Sequence, residues 1–354
     1  MRVGFVGLGR IGAAHAAVVR DHPDVDRLVV ADADPDRARA VADRLRARTV
    51  GDARSSVDGG TPAAVPADIT ATADVPAALT GVDALVIAAA TAAHPDLIVA
   101  SVEAGLPTFC EKPVAPDVAG HLRVLEAVRR NGVQVHIGFQ RRFDAGYLAT
   151  RGAVMSGALG EVRRLHLITG DEKPPHPDYI PRSGGLWRDC HVHDFDILRF
   201  VTGHEVDEVY AVGANRGAAF FAEAGDIDEA AAVLTLDDGT LATLQGSRYN
   251  GGGHDVRMEV AGTKATWVVG LGDHAPVVPA DPGVPTPAGE PWPDFWHRFL
   301  PAYVAELNAF VDVAQGRTAS PCTVEEALEA FYVAEAATLS RAEHRPVRVE
   351  EVRA

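Results

Sequence analysis

Short apolar runs alternate with helical patterns over the first 135 or so residues of the chain. The runs are apolar almost throughout, as strands are when a sheet is covered on both faces. Between them, apolar residues recur every three or four positions, which predicts helices. This alternation predicts a parallel, doubly wound α/β sheet. The runs interpreted as strands are residues 2–8, 26–33, 83–90, 107–112 and 133–139.

After about residue 140 the pattern changes to strict alternation of apolar and polar positions with tight Gly turns. Two of these turns, "LDDGT" and "AGTKA", are typical of hairpin connections. The pattern predicts an antiparallel sheet with one drier face. A Pro-rich loop at 275–293 follows, and two helices at about 295–315 and 323–344 are predicted after it.

The chain has 354 residues, which is more than one hydrophobic core usually holds, so two domains are expected. We place the boundary after residue 135, giving domains 1–135 and 136–354, with the last helices packing back on the body. Residues 51–66 are rich in Gly, Ser and Pro and are interpreted as a surface loop.

Charge and composition exclude several classes of function. The formal net charge is −16 without a Lys/Arg-rich run, which argues against nucleic acid and anionic membranes as partners. The three cysteines are scattered without a C-x-x-C, which argues against a disulfide framework or a structural zinc site. No apolar run reaches about 18 residues, and the N-terminus leads directly into a strand. We therefore expect a cytoplasmic protein.

The segment "GLGRIG" follows the first predicted strand and opens a helix. Its glycines permit a tight turn and close approach of the backbone to a pyrophosphate, which the free N–H groups of the helix then face. An acid about twenty residues later, at the end of the second strand, can accept both ribose hydroxyls. The predicted cofactor-binding residues here are Gly7, Gly9, Arg10, Ile11, Gly12 and Asp32.

The acid at the end of the second strand also bears on the type of dinucleotide. A carboxylate at Asp32 would repel a 2′-phosphate, so NAD is favoured over NADP. Arg37 lies close in sequence and keeps NADP from being excluded.

A second candidate segment, "CEKP", closes the strand at 107–112. Ligands of open α/β sheets bind beyond the carboxyl ends of the strands, so Lys112 is expected at the nicotinamide end of the cleft. Its ammonium can hydrogen-bond a substrate hydroxyl and pass on its proton. A lone E-K-P would by default be a solvated surface lysine, and the position at a strand end favours the functional interpretation.

The stretch "GGLWRDCHVHDFD" concentrates histidines and aspartates. From about Asp189, apolar residues recur at intervals of three until Gly203, which predicts a helix. On a helix Asp189 and His193 share a face and His191 points away, whereas a strand would gather all three as a metal cluster. The helical period therefore argues against a metal and for an acid/base pair, since histidine titrates near neutrality. A purely structural Asp and buried His remain the alternative.

Taken together and in this order, these segments resemble the Gfo/Idh/MocA oxidoreductase family. "GFVGLGRIG", "EKP", "GFQRRFD" and "GGLWRDCHVHDFDILRFVTG" carry the resemblance, which covers essentially the whole chain. The segments "YIPRSGGLWRD" and "HDFD" are most similar to the inositol 2-dehydrogenase branch. The resemblance implies an N-terminal Rossmann domain and a C-terminal α/β domain whose open, mostly antiparallel sheet commonly mediates dimers or tetramers.

The resemblance also implies roles for individual residues. Lys112 would bind the reacting hydroxyl, His193 would be the general base, and Asp189 would be its partner and a substrate ligand. Arg141 falls where the branch places a substrate-contacting arginine. His94 matches a position that commonly lines the cofactor site, and Glu111 is counted with it.

The segment "SRYNGGGHDVR" departs from the inositol branch, which carries tyrosines there. Gly252 and His254 stand at those places, Tyr249 lies nearby, and His191 also differs from the residue usual in the branch. We count Tyr249, His254 and His191 with Arg141 as substrate-binding residues. Such a pocket would accept something other than a free cyclitol, such as a larger or glycosylated sugar.

The expected function is that of an NAD-dependent dehydrogenase acting on a secondary alcohol of a cyclitol or sugar, in a homo-oligomer such as a homotetramer. Three alternatives stay open at this stage. One is a sugar or glycoside 3-dehydrogenase, or a hidden-redox enzyme with tightly bound NAD. Another is a non-catalytic NAD-binding sensor protein, and the third is a metal enzyme.

Overall fold

A computed structural model describes residues 1–47 and 68–353, so the predicted surface loop at 51–66 lies outside the described residues. Two compact units are evident: residues 1–140 with 301–328 form the first unit, and residues 141–300 with 329–354 form the second. The domain boundary after residue 135 stays a prediction, because compactness alone does not establish which segments fold independently.

The first unit contains a six-stranded sheet in which every pairing is parallel, in the order β3-β2-β1-β4-β5-β6. This confirms the doubly wound sheet expected from the sequence. The strands are β1 (Arg2–Val6), β2 (Arg27–Ala31), β3 (Asp68–Thr72), β4 (Ala84–Ile87), β5 (Thr108–Glu111) and β6 (Val135–Gly138). The helices are α1 (Arg10–Arg20), α2 (Pro35–Ala47), α3 (His94–Glu103) and α4 (Val118–Asn131).

The edge strand β3 is the one strand of this sheet that the hydrophobic pattern does not reveal. Its sequence, DITAT, buries only Ile69, and the remaining residues are at least partly exposed. An edge strand needs fewer apolar residues than a central one, so no continuous apolar run marks it. A 3-10 turn, Pro76–Leu79, follows where the pattern predicts a helix.

The hydrophobic core of the first unit packs between this sheet and its helices. Val3, Phe5 and Val86 from the central strands are fully buried and contact the same cluster as Phe310. Each such side chain contributes about 1.5–3 kcal/mol by leaving water. This core stabilises the sheet from whose carboxyl edge the candidate loops extend.

The second unit contains a seven-stranded sheet in the order β12-β11-β7-β10-β9-β8-β13. Only the β7–β10 pairing is parallel, which confirms the mostly antiparallel sheet expected here. Both predicted hairpins are present, as β9–β10 and β11–β12. The strands are β7 (Val162–Gly170), β8 (Val206–Ala214), β9 (Glu229–Leu236), β10 (Leu241–Ser247), β11 (Asp255–Gly262), β12 (Thr266–Val269) and β13 (Val347–Arg348).

The later helices begin and end at recognisable caps. The Asp144 side chain accepts hydrogen bonds from the first backbone N–H groups of α5, and α7 ends at Gly203 in the left-handed conformation. None of the helices within 1–47 and 68–353 is both long and apolar enough to cross a bilayer. The helices are α5 (Ala145–Met155), α6 (Ile180–Ser183), α7 (Val192–Thr202), α8 (Ala219–Glu223), α9 (Phe295–Ala314) and α10 (Val324–Glu343).

Candidate active site

The turn between β1 and α1 requires glycine at two positions and leaves open space at a third. A Cβ on Gly7, which has φ +91°, would lie 2.4 Å from the backbone nitrogen of Ala89. A Cβ on Gly12 would lie 2.0 Å from the carbonyl oxygen of Gly7. At Gly9, the N-cap of α1, a Cβ would meet no atom within 4 Å. The turn therefore fits a pyrophosphate, which needs backbone N–H groups facing open space.

Asp32 lies beside this turn at the end of β2. Its Oδ2 accepts a hydrogen bond of 2.8 Å from the backbone N–H of Leu8, which stands between two of the glycines. Its Oδ1 accepts from Arg37 Nη1 at 3.1 Å. Asp32, the carboxylate predicted to bind the ribose, is thus held against the glycine-rich turn. Arg10 is exposed and Ile11 half-buried at the start of α1.

His94 connects two segments at the carboxyl edge of the first sheet. Its Nδ1 lies 2.8 Å from the carbonyl oxygen of Pro113, and its Nε2 lies 3.0 Å from that of Ala89. Burial lowers the pKa of His94, so the ring is neutral and donates to one of these carbonyls at a time. His94 therefore ties the segment after Lys112 to the backbone that packs against Gly7, and its contact with a cofactor stays a prediction.

Asp189 is held in the second unit by two separate donors. It lies in a π-helical turn, Trp187–His191, that runs directly into α7, so the predicted helix begins in a wider form than an α-helix. The Tyr179 hydroxyl donates to Asp189 Oδ1 at 2.8 Å. Arg248 Nη2 donates to Asp189 Oδ2 at 2.6 Å. His193 stands on the first turn of α7, and its pairing with Asp189 stays a prediction.

Arg248 extends this network to two further residues. Its Nη1 donates to Asp171 Oδ2 at 3.1 Å, and His254 Nδ1 lies 3.4 Å from Asp171 Oδ1. Burial alone would raise the pKa of Asp171, but the hydrogen bond from His254 and the charge of Arg248 together lower it. Burial opposes ionisation of Arg248 as well, yet its anionic neighbours raise its pKa well above the ordinary value. This group, defined by Tyr179, Asp189, Arg248, Asp171 and His254, is called the Arg248 network below.

A second buried network surrounds Asp194. Arg141 Nη1 and the Thr169 hydroxyl donate to Asp194 Oδ1, while His191 Nδ1 lies 2.8 Å from Asp194 Oδ2. Burial would raise the pKa of Asp194, but Arg141 and the His191 hydrogen bond lower it. Asp194 therefore stays ionised and fixes both Arg141 and His191, two of the four residues predicted to contact substrate.

The surroundings of His191 and Tyr249, two of the predicted substrate-binding residues, can be described further. His191 is fully buried, and a Cβ on Gly246 would lie 1.9 Å from its Nε2, so its ring packs on the backbone of β10. Tyr249 is 36% exposed, and its hydroxyl accepts from the backbone N–H of Ala218 at 3.2 Å. A Cβ at Gly252 would lie 2.6 Å from the carbonyl oxygen of Pro276, so this glycine does not open a larger pocket.

The expectation that the H-x-H segment holds no metal stays a prediction. Within the described part of the chain, one group of three potential ligands has donor atoms within 4.8 Å of one another: His204, Asp237 and Asp238. His204 is half-buried and the two aspartates are exposed, and all three follow the H-x-H segment in the chain.

Sequence reasoning missed four residues of the two buried networks in the second unit: Tyr179, Asp171, Arg248 and Asp194. For Asp194 a signal was available, since it stands three residues after His191 on a helical pattern. Arg248 and Asp171 are 77 residues apart and meet through strand pairing, so no local pattern indicates their contact.

Comparison with known proteins supports the family-level interpretation. Residues 1–139 match the model of an oxidoreductase family with an NAD-binding Rossmann fold, and residues 147–268 match the GFO/IDH/MocA C-terminal domain. A myo-inositol dehydrogenase of Streptomyces leeuwenhoekii is 36% identical, over 91% of this chain and 90% of its own. An inositol 2-dehydrogenase of Rhizobium meliloti is 33% identical over 99% of both chains. The crystal structure of a myo-inositol dehydrogenase from Corynebacterium glutamicum superposes with a TM-score of 0.82, at 31% identity and 98% coverage of both chains.

Proposed function

Because the chain belongs to the Gfo/Idh/MocA family of oxidoreductases, we propose that it uses NAD to oxidise a secondary alcohol of a cyclitol or sugar. One observation within the first unit carries this proposal. The glycine-rich turn follows β1 and Lys112 follows β5, at the same edge of a sheet in which only β4 separates these strands. Two strand spacings amount to about 10 Å, which suits a lysine at the far end of a dinucleotide bound on the turn.

The proposed chemistry assigns a proton-handling role to three side chains. NAD, when bound, supplies the two-electron chemistry at the alcohol carbon. Lys112 donates a hydrogen bond to the reacting oxygen and stabilises the negative charge that develops there. His193 accepts the hydroxyl proton as general base, and the negative charge of Asp189 stabilises the imidazolium that forms.

NAD is the proposed dinucleotide because Asp32 would face the adenine ribose of a dinucleotide bound on the turn, on the side where NADP carries its 2′-phosphate. The Leu8 N–H and Arg37 hold the Asp32 carboxylate in place, so its negative charge would repel the 2′-phosphate of NADP. An ordinary ribose would instead present two hydroxyl donors to the same oxygens.

A cyclitol is the substrate class that the relatives support. The similar proteins from Streptomyces leeuwenhoekii and Rhizobium meliloti are named inositol dehydrogenases. The close packing of Gly252 on Pro276 removes one argument for a larger glycoside. We therefore place free cyclitols first and sugars second.

The proposal is tested by a panel of inositols, aldoses and glycosides, with NADH absorbance read for NAD and NADP in parallel. The expected result is turnover of at least one inositol isomer with NAD and much weaker turnover with NADP. Turnover confined to glycosides would show that the substrate is a sugar derivative and not a free cyclitol. Protein that retains bound cofactor but releases no NADH would indicate hidden redox, and cofactor binding without any turnover would indicate a sensor.

We also propose that the chain forms homo-oligomers through the exposed face of the second sheet. A cross-strand row on this face runs from Tyr210 through Val233 and Thr243 to His166. Tyr210 is 41% and Val233 48% exposed, and Leu241 on the same strand as Thr243 is 52% exposed. A contiguous apolar face of this kind is typical of an interface, and a second copy of the chain presents a matching face.

Light scattering coupled to gel filtration tests the oligomer. Val233→Lys places a charge at the centre of the row and should shift the protein to a smaller species. Leu122→Lys is the matched control, because Leu122 is similarly exposed at 41% but lies on α4 in the first unit. A wild-type monomer, or equal effects of both substitutions, would contradict this proposal.

A further inference from the structure

We propose that Arg248 is a positioning residue that holds Asp189 in a single ionised orientation, with the Tyr179 hydroxyl holding the second oxygen. This inference rests on the proposed function, in which Asp189 stabilises the charged form of His193. Arg248 binds Asp189 Oδ2 at 2.6 Å, and Tyr179 binds Oδ1 at 2.8 Å. Because each oxygen has its own donor, the carboxylate cannot rotate about its Cβ–Cγ bond without losing both hydrogen bonds.

Strand pairing brings Arg248 to this place. The parallel strands β7 and β10 end in register, with Gly170 opposite Ser247. Asp171 directly follows β7, and Arg248 directly follows β10. The Asp171 N–H donates to the Ser247 carbonyl at 2.9 Å. The Arg248 side chain is only 3% exposed, so its position is set by packing as well as by its ion pairs.

The charge of Arg248 is shared between two carboxylates. Its two terminal nitrogens bind Asp171 and Asp189 separately, and His254 approaches Asp171 from the other side. Without the guanidinium, two partly buried carboxylates would face each other with no cation between them. Their mutual repulsion would favour rotation of the two carboxylates away from each other, and a rotated Asp189 would no longer stabilise the charged form of His193.

The discriminating measurement is a double-mutant cycle between Arg248 and Asp189. Arg248→Met removes the charge at similar length, and we expect kcat to fall about 100-fold, the loss typical of a misplaced catalytic group. We expect the Kd for NADH, read by its fluorescence, to change less than about threefold. In an Asp189→Asn background, Arg248→Met should cost less than about threefold further, because its effect passes through Asp189.

Two milder variants keep the test informative if Arg248→Met folds poorly. Arg248→Lys retains the charge and should recover most of the activity, to within about tenfold of the wild type. Tyr179→Phe removes one hydroxyl from a residue that is 42% exposed, and it should lower kcat by about three- to tenfold. Arg199→Met is the matched control, since Arg199 is similarly buried and ion-paired to Glu205. It should leave kcat unchanged.

The outcomes separate this inference from the proposed function. Loss of activity in Asp189→Asn with full activity in Arg248→Met would overturn the role of Arg248 alone. Full activity in Asp189→Asn would overturn the proposed function of Asp189 itself. Independent, multiplicative losses in the double variant would show that Arg248 acts on the fold and not through Asp189.

Discussion

His15 Nε2 lies 2.6 Å from Glu111 Oε1, which joins the first helix after the glycine-rich turn to the end of β5. The imidazole is fully buried, and the carboxylate is mostly shielded from solvent. His15 also packs against the rings of Phe109 and Tyr303. Glu111, predicted from the sequence as a cofactor-binding residue, is thus held by the helix whose N-terminus faces the expected pyrophosphate.

We expect His15→Phe to lower the free energy of unfolding by about 1–3 kcal/mol, because it leaves Glu111 without this partner while keeping the ring contacts. Denaturant titration measures the change. A cycle with Glu111→Gln should give a coupling energy of about 1–2 kcal/mol between the two side chains. Strictly additive effects would show that the short contact contributes nothing to stability.

Removal of either predicted proton-handling side chain should stop most turnover. We expect Lys112→Ala and His193→Ala each to lower kcat by about two to four orders of magnitude, as lost acid/base groups do. Steady-state kinetics on the best substrate of the panel measures this. Lys264→Ala and His297→Ala are controls at exposed positions and should turn over normally. Near-normal rates in Lys112→Ala and His193→Ala would contradict the proposed mechanism.

The preference for NAD over NADP should reverse in part when Asp32, the carboxylate predicted to bind the ribose, is removed. Asp32→Ala deletes the carboxylate and frees Arg37, whose Nη1 lies 3.1 Å from Asp32 Oδ1, to bind a 2′-phosphate. A hydrogen bond to a charged group contributes about 1.5–3 kcal/mol, so kcat/KM for NADP relative to NAD should rise roughly 10- to 150-fold. Adding Arg37→Ala should abolish the gain. An unchanged cofactor ratio in Asp32→Ala would show that selectivity lies elsewhere.

The packing of His191 on Gly246 predicts a sharp effect of a single methyl group. A Cβ at Gly246 would lie 1.9 Å from His191 Nε2, and the buried ring is held on its other side by Asp194. We expect Gly246→Ala to destabilise the fold by about 1–3 kcal/mol, as overpacking does. Thermal or denaturant unfolding measures this, with Gly251→Ala as a control because a Cβ there meets no atom within 4 Å. Equal stabilities of the two variants would mean that the His191 ring moves freely.

Much of the fold follows from the sequence because its signals are local. Central parallel strands such as β1 and β4 are buried on both faces and read as apolar runs. The edge strand β3 lacks that burial, so it carries no such run. The hairpins β9–β10 and β11–β12 were predictable because a Gly turn links neighbouring segments.

The candidate site residues also divide into those indicated by a local sequence pattern and those brought together by strand pairing. Gly7, Gly9 and Gly12 could be assigned because they form a G-x-G-x-x-G pattern within six positions, directly between a predicted strand and a predicted helix. The contact of Arg248 with Asp189 spans 59 residues and depends on the register of β7 with β10. A helical wheel placed Asp189 and His193 on one face, but the π-helical turn that contains Asp189 alters that spacing by a fraction of a turn.

Stability should fall as the pH drops below neutrality, and His121 accounts for a defined part of the loss. Burial on α4 lowers its pKa from 6.5 to about 4. The unfolded chain therefore takes up a proton between these two pH values while the folded protein does not. A shift of this size corresponds to about 3 kcal/mol of stability, present in full above pH 6.5 and lost as the pH falls toward 4.

The measurement compares free energies of unfolding between pH 7 and pH 4 for the wild type and His121→Gln. Glutamine can still donate to the Asp117 carbonyl that His121 Nδ1 contacts at 2.8 Å, but it does not titrate. We expect the variant to lose about 3 kcal/mol less than the wild type over this range. His297→Gln, at an exposed position, should follow the wild-type curve. Parallel curves for His121→Gln and the wild type would show that His121 is protonated equally in the folded and unfolded chains.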